Sequence, residues 1–150
     1  MTKKNSDKIV IDGKKFSSRL IMGTSSYPNL DVLNESLNQS ETEIITVSIR
    51  RFHDEGQNLF LDQIKKKYTY LPNTAGCFTK KEAVFTAELA RESLQTDWIK
   101  LELISEKEML LPDPLELFST CEELIKKKFK IFAYCSDDPI LCKRLEDLGC

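Results

Sequence analysis

The run Trp98-Ile99-Lys100-Leu101-Glu102-Leu103-Ile104 sets a lysine and a carboxylate two residues apart inside an apolar, β-rich segment. Side chains alternate along a strand, so Ile99, Leu101 and Leu103 share one face and Lys100 and Glu102 the other. A neutral lysine amine attacks ketones and forms imines. Burial favours the neutral form, because desolvation penalises the ammonium. A carboxylate on the same face, about 6–7 Å along the strand, can carry protons during imine formation and later tautomerisation. The same carboxylate also favours the ammonium, so the two influences on Lys100 oppose one another. The competing reading is a solvent-facing Lys–Glu pair on an antiparallel strand, which does no chemistry.

Other residues invite a chemical reading. Arg50 and Arg51 end the run EIITVSIRR and could hold phosphate or carboxylate at the mouth of a cavity. A surface ion pair explains them equally well. Asn73-Thr74-Ala75-Gly76 is a polar turn that could line the same mouth, or serve only as turn and cap. In Ser136-Asp137-Asp138, the last residue fits a helix cap, which leaves Asp137 as the site candidate. His53 is the single histidine, and with Asp54 and Glu55 it falls short of a metal-ligand set, so no metal is expected. Cys77, Cys121, Cys135, Cys142 and Cys150 are scattered, without a C-x-x-C pair, and read as free thiols in a reducing compartment.

Positioning these groups requires a scaffold. Short apolar runs recur at 19–23, 43–50, 68–73, 97–104 and 129–135. Each has strand length and ends near turn residues, and successive runs are separated by roughly the length of a βα unit. Before them, 8–16 reads as a hairpin with Asp12-Gly13 at its turn. The intervals carry helix signals. Thr79 and Glu82 form a capping box ahead of an amphipathic run. Asp113-Pro114 and Asp138-Pro139 are cap–proline pairs, and Gly149 is a stop. Segments 30–39 and 58–67 are further helices, the second ending in Lys65, Lys66 and Lys67.

Strands alternating with helices predict a parallel sheet with helical cover. An open doubly wound sheet and a (βα)8 barrel both satisfy that pattern. No glycine-rich phosphate loop follows any strand, and polar residues in mid-strand suit a barrel interior. Residues 1–7 are polar and expected to be disordered. Residues 8–150 form one domain without a linker.

Composition narrows the function classes. The 150 residues are 41% hydrophobic and 31% charged, with a formal net charge of −2. That is ordinary globular protein, with no electrostatic case for nucleic acid or an anionic membrane. No apolar run reaches membrane-spanning length, and the basic start lacks the apolar stretch of a signal peptide. The expected location is the cytoplasm, or the plastid stroma for a plastid-encoded chain.

The blocks FSSRLIMGTSSYP, EIITVSIRR, YLPNTAGCFTKKEAV, TDWIKLELI, LLPDPLEL and SDDPILCKRLEDLGC, in this order, resemble bacterial and plastid thiazole synthases of thiamine biosynthesis. The resemblance runs from about residue 8 to Cys150. It implies a (βα)8 barrel, represented here by its first five βα units. It also implies a Schiff base between Lys100 and 1-deoxy-D-xylulose 5-phosphate, with Glu102 as acid or base. Dehydroglycine would supply nitrogen and carbon, and a ubiquitin-like sulfur carrier protein would deliver sulfur as a C-terminal thiocarboxylate. No organic cofactor is implied, and a homo-oligomer is. Ser25 stands where the family has a second glycine, and Cys135 where it has threonine. The remaining strands, with a second acid and the phosphate-binding loops, would lie beyond residue 150. Two other readings stay open: an aldolase-type Schiff-base lyase, and an inactive truncated fragment that only binds partner subunits.

Overall fold

The computed structural model describes residues 8–50, 63–64 and 67–150. In chain order, β1 (Ile9–Ile11) and β2 (Lys14–Phe16) precede β3 (Ile21–Gly23), α1 (Leu30–Gln39), β4 (Ile44–Ser48) and β5 (Thr69–Asn73). Next come α2 (Lys80–Leu94), β6 (Trp98–Leu101), β7 (Ile104–Glu106), β8 (Leu111–Pro112), α3 (Pro114–Lys126), β9 (Lys130–Ala133) and α4 (Pro139–Leu148). No helix among the described residues is long and apolar enough to cross a membrane.

Strands β3, β4, β5, β6 and β9 form one parallel sheet in that order. Helix α1 joins β3 to β4, α2 joins β5 to β6, and α3 precedes β9. Sequential parallel strands with helical crossovers are the construction of a (βα)8 barrel, and these are its first five strands. Strands β3 and β9 are the two edges of this sheet.

Local chemistry sets the helix boundaries. Thr79 accepts from the Glu82 N–H while the Glu82 side chain accepts from the Thr79 N–H, the reciprocal capping box. Asp113 and Asp138 cap α3 and α4, each followed by proline at a position whose N–H has no helical partner. Gly149 ends α4 with φ at 113°, a conformation that costs a Cβ-bearing residue strain. Asn29 caps α1 by accepting from the Val32 N–H.

Alternation divides the strand side chains into two layers. Ile99, Leu101 and Ile131 pack outward against Ala83, Ala87 and Ala90 of α2 and Leu117, Cys121 and Leu124 of α3. Ile45 packs outward against Leu33 and Leu37 of α1. On the inner face, Ile44, Leu71 and Trp98 gather with Phe16, Ile9 and Ile11 of the N-terminal hairpin. The hairpin therefore closes the amino-terminal end of the sheet's interior. Its turn residues Asp12 and Gly13 both have positive φ, 48° and 75°, as a two-residue hairpin turn requires.

Asp12 locks the hairpin in place. It accepts from Trp98 Nε1 at 3.0 Å and pairs with Lys130 Nζ at 3.2 Å. The Trp98 hydrogen bond, then the Lys130 hydrogen bond, hold the Asp12 carboxyl below its ordinary value of 3.8. A carboxylate whose folded pKa is depressed adds stability above the unfolded pKa, and that stability fades as pH falls through the folded one. We expect the emission of Trp98, the only tryptophan, to change in acid with a midpoint below pH 3.8. Asp12→Asn should remove that transition. An unchanged transition in the variant would assign it to another group.

The strands differ from the sequence-based expectation in their extent. The fourth strand does not run from 97 to 104. Its ladder to β9 ends at Leu101 opposite Ala133, and Ile104–Glu106 instead pairs antiparallel with Leu111–Pro112. The backbone between them finds other partners: the Ile104 N–H donates to the Cys77 carbonyl and the Leu103 carbonyl accepts from the Asp113 N–H. The other strands are also shorter than expected: Ile21–Gly23 rather than 19–23, Ile44–Ser48 rather than 43–50, Thr69–Asn73 rather than 68–73, and Lys130–Ala133 rather than 129–135. The helix expected over 58–67 lies outside the described residues except at 63, 64 and 67, as do residues 1–7.

Candidate active site

The inner face changes character from one strand end to the other. One row crosses the sheet as Thr46, Leu71, Trp98 and Lys130, of which the central Leu71 and Trp98 are buried and apolar and Lys130 is exposed on the edge strand. Two residues towards the carboxyl ends, the row reads Ser48, Asn73, Lys100 and Phe132, which are neighbours in register. The centre of the inner face is thus packed at the hairpin end and carries Ser48, Asn73 and Lys100 at the carboxyl ends, where barrel enzymes hold their substrates.

Lys100 Nζ donates to Glu102 Oε1 at 2.8 Å. The lysine side chain is 35% exposed and the glutamate 16%. Lys100 is therefore about a third exposed, and not fully buried as the imine argument first supposed. Glu102 lies one residue past the end of β6, yet its orientation is fixed. Thr74, fully buried, accepts from the Glu102 N–H at 2.8 Å and donates to the Glu102 carbonyl at 2.7 Å. Its own N–H donates to the Lys100 carbonyl at 3.2 Å. Three hydrogen bonds from one threonine thus hold the backbone on both sides of the pair after the strand ladder has stopped.

Tyr134 forms a wall of the site. Its ring centre stands 5.6 Å from Lys100 Nζ, within reach of a cation–π attraction. Its hydroxyl donates to the Leu110 carbonyl at 3.2 Å, tethering the loop between β7 and β8 beside the lysine. Sequence reasoning passed over both Thr74 as a clamp and Tyr134 as a wall. Alternation contained a signal for the second, because Lys130, Phe132 and Tyr134 follow the same period as Trp98, Lys100 and Glu102.

The other candidates resolve differently. Arg50 donates to the Gly76 carbonyl at 2.5 Å and stands 3.9 Å from Glu82, so it ties β4 to the loop before α2. Gly76 has φ at 80° and lies against that guanidinium, so the turn after β5 needs glycine there. Asn73 accepts from the Ala75 N–H within the same turn. Asp138 is the cap of α4, accepting from the Ile140 N–H at 2.8 Å, and Asp137 is exposed nearby. Arg51, His53, Asp54 and Glu55 lie outside the described residues. Among the described residues, no group of three or more His, Cys, Asp or Glu side chains is placed to hold a metal ion.

Comparison with known proteins adds the family. A profile described as thiazole biosynthesis protein ThiG matches residues 10–150. A thiazole synthase of Azorhizobium caulinodans is 49% identical over 144 residues, covering 95% of this chain and 54% of that protein. One from Geobacter sulfurreducens is 48% identical over 147 residues, covering 96% and 56%. The chain spans about half the length of the curated relatives it matches. A chain in the crystal structure of the Amycolatopsis orientalis BexX/CysO complex shares the fold, with a TM-score of 0.77 at 21% identity over 93% of this chain and 58% of that one. With an alternating parallel sheet, a hairpin at its amino-terminal end and a family match along nearly its whole length, the chain belongs to the thiazole biosynthesis protein ThiG family.

Proposed function

We propose that this chain provides the imine-forming part of a thiazole synthase, with Lys100 as the nucleophile and Glu102 as its proton carrier. The observation that carries the reading is the 2.8 Å Lys100–Glu102 pair on the inner face, at the carboxyl ends of the strands.

Chemistry assigns the steps. Glu102 takes a proton from the Lys100 ammonium, and the freed amine attacks the ketone carbon of 1-deoxy-D-xylulose 5-phosphate. The carbinolamine oxygen receives a proton from Glu102 and leaves as water, giving the imine. Tautomerisation then moves the carbonyl along the sugar, with Glu102, hydrogen-bonded to Lys100, as the proton carrier. Sulfur then arrives as a thiocarboxylate on a ubiquitin-like carrier protein, and dehydroglycine contributes the remaining carbon and nitrogen. A chain of the same fold occurs in the BexX/CysO complex, and that supports a protein partner here.

Borohydride reduction tests the reading. The full-length protein is incubated with 1-deoxy-D-xylulose 5-phosphate, reduced, and its peptides weighed. The expected result is one reduced ketose on Lys100. Absence of an adduct, or an adduct confined to another lysine, would overturn it. Carbon–carbon cleavage of the sugar without a sulfur donor would assign the site to an aldolase-type lyase instead.

A further inference from the structure

Four of the five cysteines gather where α3, β9 and α4 meet, and the reaction proposed above uses none of them. All five are free thiols here. Cys135 lies two residues beyond the end of β9, and Cys142 lies in the first turns of α4. Their sulfurs are 3.8 Å apart, in contact. The Cys142 thiol also reaches the Ser136 carbonyl at 3.7 Å.

We propose that Cys135 and Cys142 form a site of reversible oxidation, at which a peroxide closes an intramolecular disulfide between the β9 loop and α4. A disulfide needs the sulfurs at about 2.05 Å, so closure moves them roughly 1.8 Å together. The segment between them, Ser136-Asp137-Asp138-Pro139, is exposed along its whole length and can absorb such a shift. The two cysteines differ in access, which divides the roles. Cys142 is exposed and meets the oxidant, whereas Cys135 is half-buried against the outer core and meets chiefly Cys142.

The electrons balance in two steps. The Cys142 sulfur attacks one peroxide oxygen, the O–O bond breaks, and water leaves a sulfenic acid on Cys142. The Cys135 sulfur then attacks that sulfur, the S–O bond breaks, and a second water departs with the Cys135 proton. Two thiols are oxidised and one peroxide is reduced. A dithiol reductant reverses the link.

Position gives the site its interest. Tyr134, the neighbour of Cys135, places its ring against Lys100 and its hydroxyl on the β7–β8 loop. A disulfide at Cys135 would therefore fasten the rim of the candidate active site to α4.

Peptide mass decides the matter on the unaltered full-length protein. After limiting hydrogen peroxide, remaining thiols are capped with maleimide in denaturant and the chain is cut with trypsin. Cleavage after Lys130 and Lys143 leaves Cys135 and Cys142 in one peptide. The expected product is that peptide lighter by two hydrogens and without maleimide, gaining two maleimides when dithiothreitol precedes capping. Cys135→Ser should halt the reaction at a Cys142 sulfenic acid that dimedone captures. The proposal is overturned if Cys135 keeps its maleimide while Cys142 collects further oxygen, or if oxidation links Cys121 to Cys150 or joins two chains and leaves this peptide doubly capped.

Discussion

Full-length protein carrying Lys100→Ala should lose the borohydride-stabilised adduct and slow thiazole formation by at least about a thousandfold, since no other group can take the place of a covalent nucleophile. Lys100→Arg is the sharper control. It keeps a positive charge for Glu102 and a long side chain, but a guanidinium stays protonated and does not form the imine. If the arginine variant retains activity within about tenfold of the parent, Lys100 serves by charge alone and the imine reading fails. Glu102→Gln leaves the amine in place and removes the proton carrier. Its adduct should still form, slowly, with turnover lowered by roughly 10² to 10⁴. Loss of the adduct in the lysine variants and its retention in the glutamine variant would separate nucleophile from proton carrier. The Lys100→Ala chain should keep the parent's melting temperature, because the pair is partly open to solvent and its loss leaves no cavity in the core.

The largest effect on stability is expected at Trp98. This side chain is 2% exposed and packs between Phe16 of the hairpin and Phe132 of β9, with ring centres 6.0 and 5.1 Å away. Its Nε1 donates to Asp12, so one residue joins the sheet interior to the plug beneath it. Trp98→Ala removes the rings' shared contact and opens a cavity, which should cost about 3–5 kcal/mol. Trp98→Phe keeps an aromatic ring but removes the donor to Asp12, and should destabilise less than the alanine variant. Urea unfolding followed by far-ultraviolet circular dichroism measures both, since the variants have no tryptophan emission. An alanine variant within about 1 kcal/mol of the parent would mean that the hairpin is not anchored through this residue.

Much of this architecture was legible in the chain itself. The helices Leu30–Gln39 and Lys80–Leu94 span the same residues that periodicity and capping predict. Asp113-Pro114, Asp138-Pro139 and Gly149 act as the start and stop signals that they resemble. The Asp12-Gly13 turn and the sharing of one face by Lys100 and Glu102 also follow from local rules. All of these depend on neighbours a few residues away, through backbone hydrogen bonds, proline geometry and strand alternation, so the sequence alone determines them.

What sequence could not settle involves residues far apart in the chain. Strand β6 stops at Leu101 because its partner β9 stops at Ala133 and Thr74 captures the Glu102 backbone from 28 residues away. The apolar pattern of 97–104 continues past that point and contains no mark of the break. Arg50 reads as a possible phosphate ligand until the fold brings the Gly76 carbonyl and Glu82 to it. Likewise, Tyr134 and Lys100 become neighbours only when two parallel strands lie side by side. Residue types and periodicity chose the elements and the faces. Tertiary packing decided where the ladder ends, which polar groups share partners, and how exposed the lysine is.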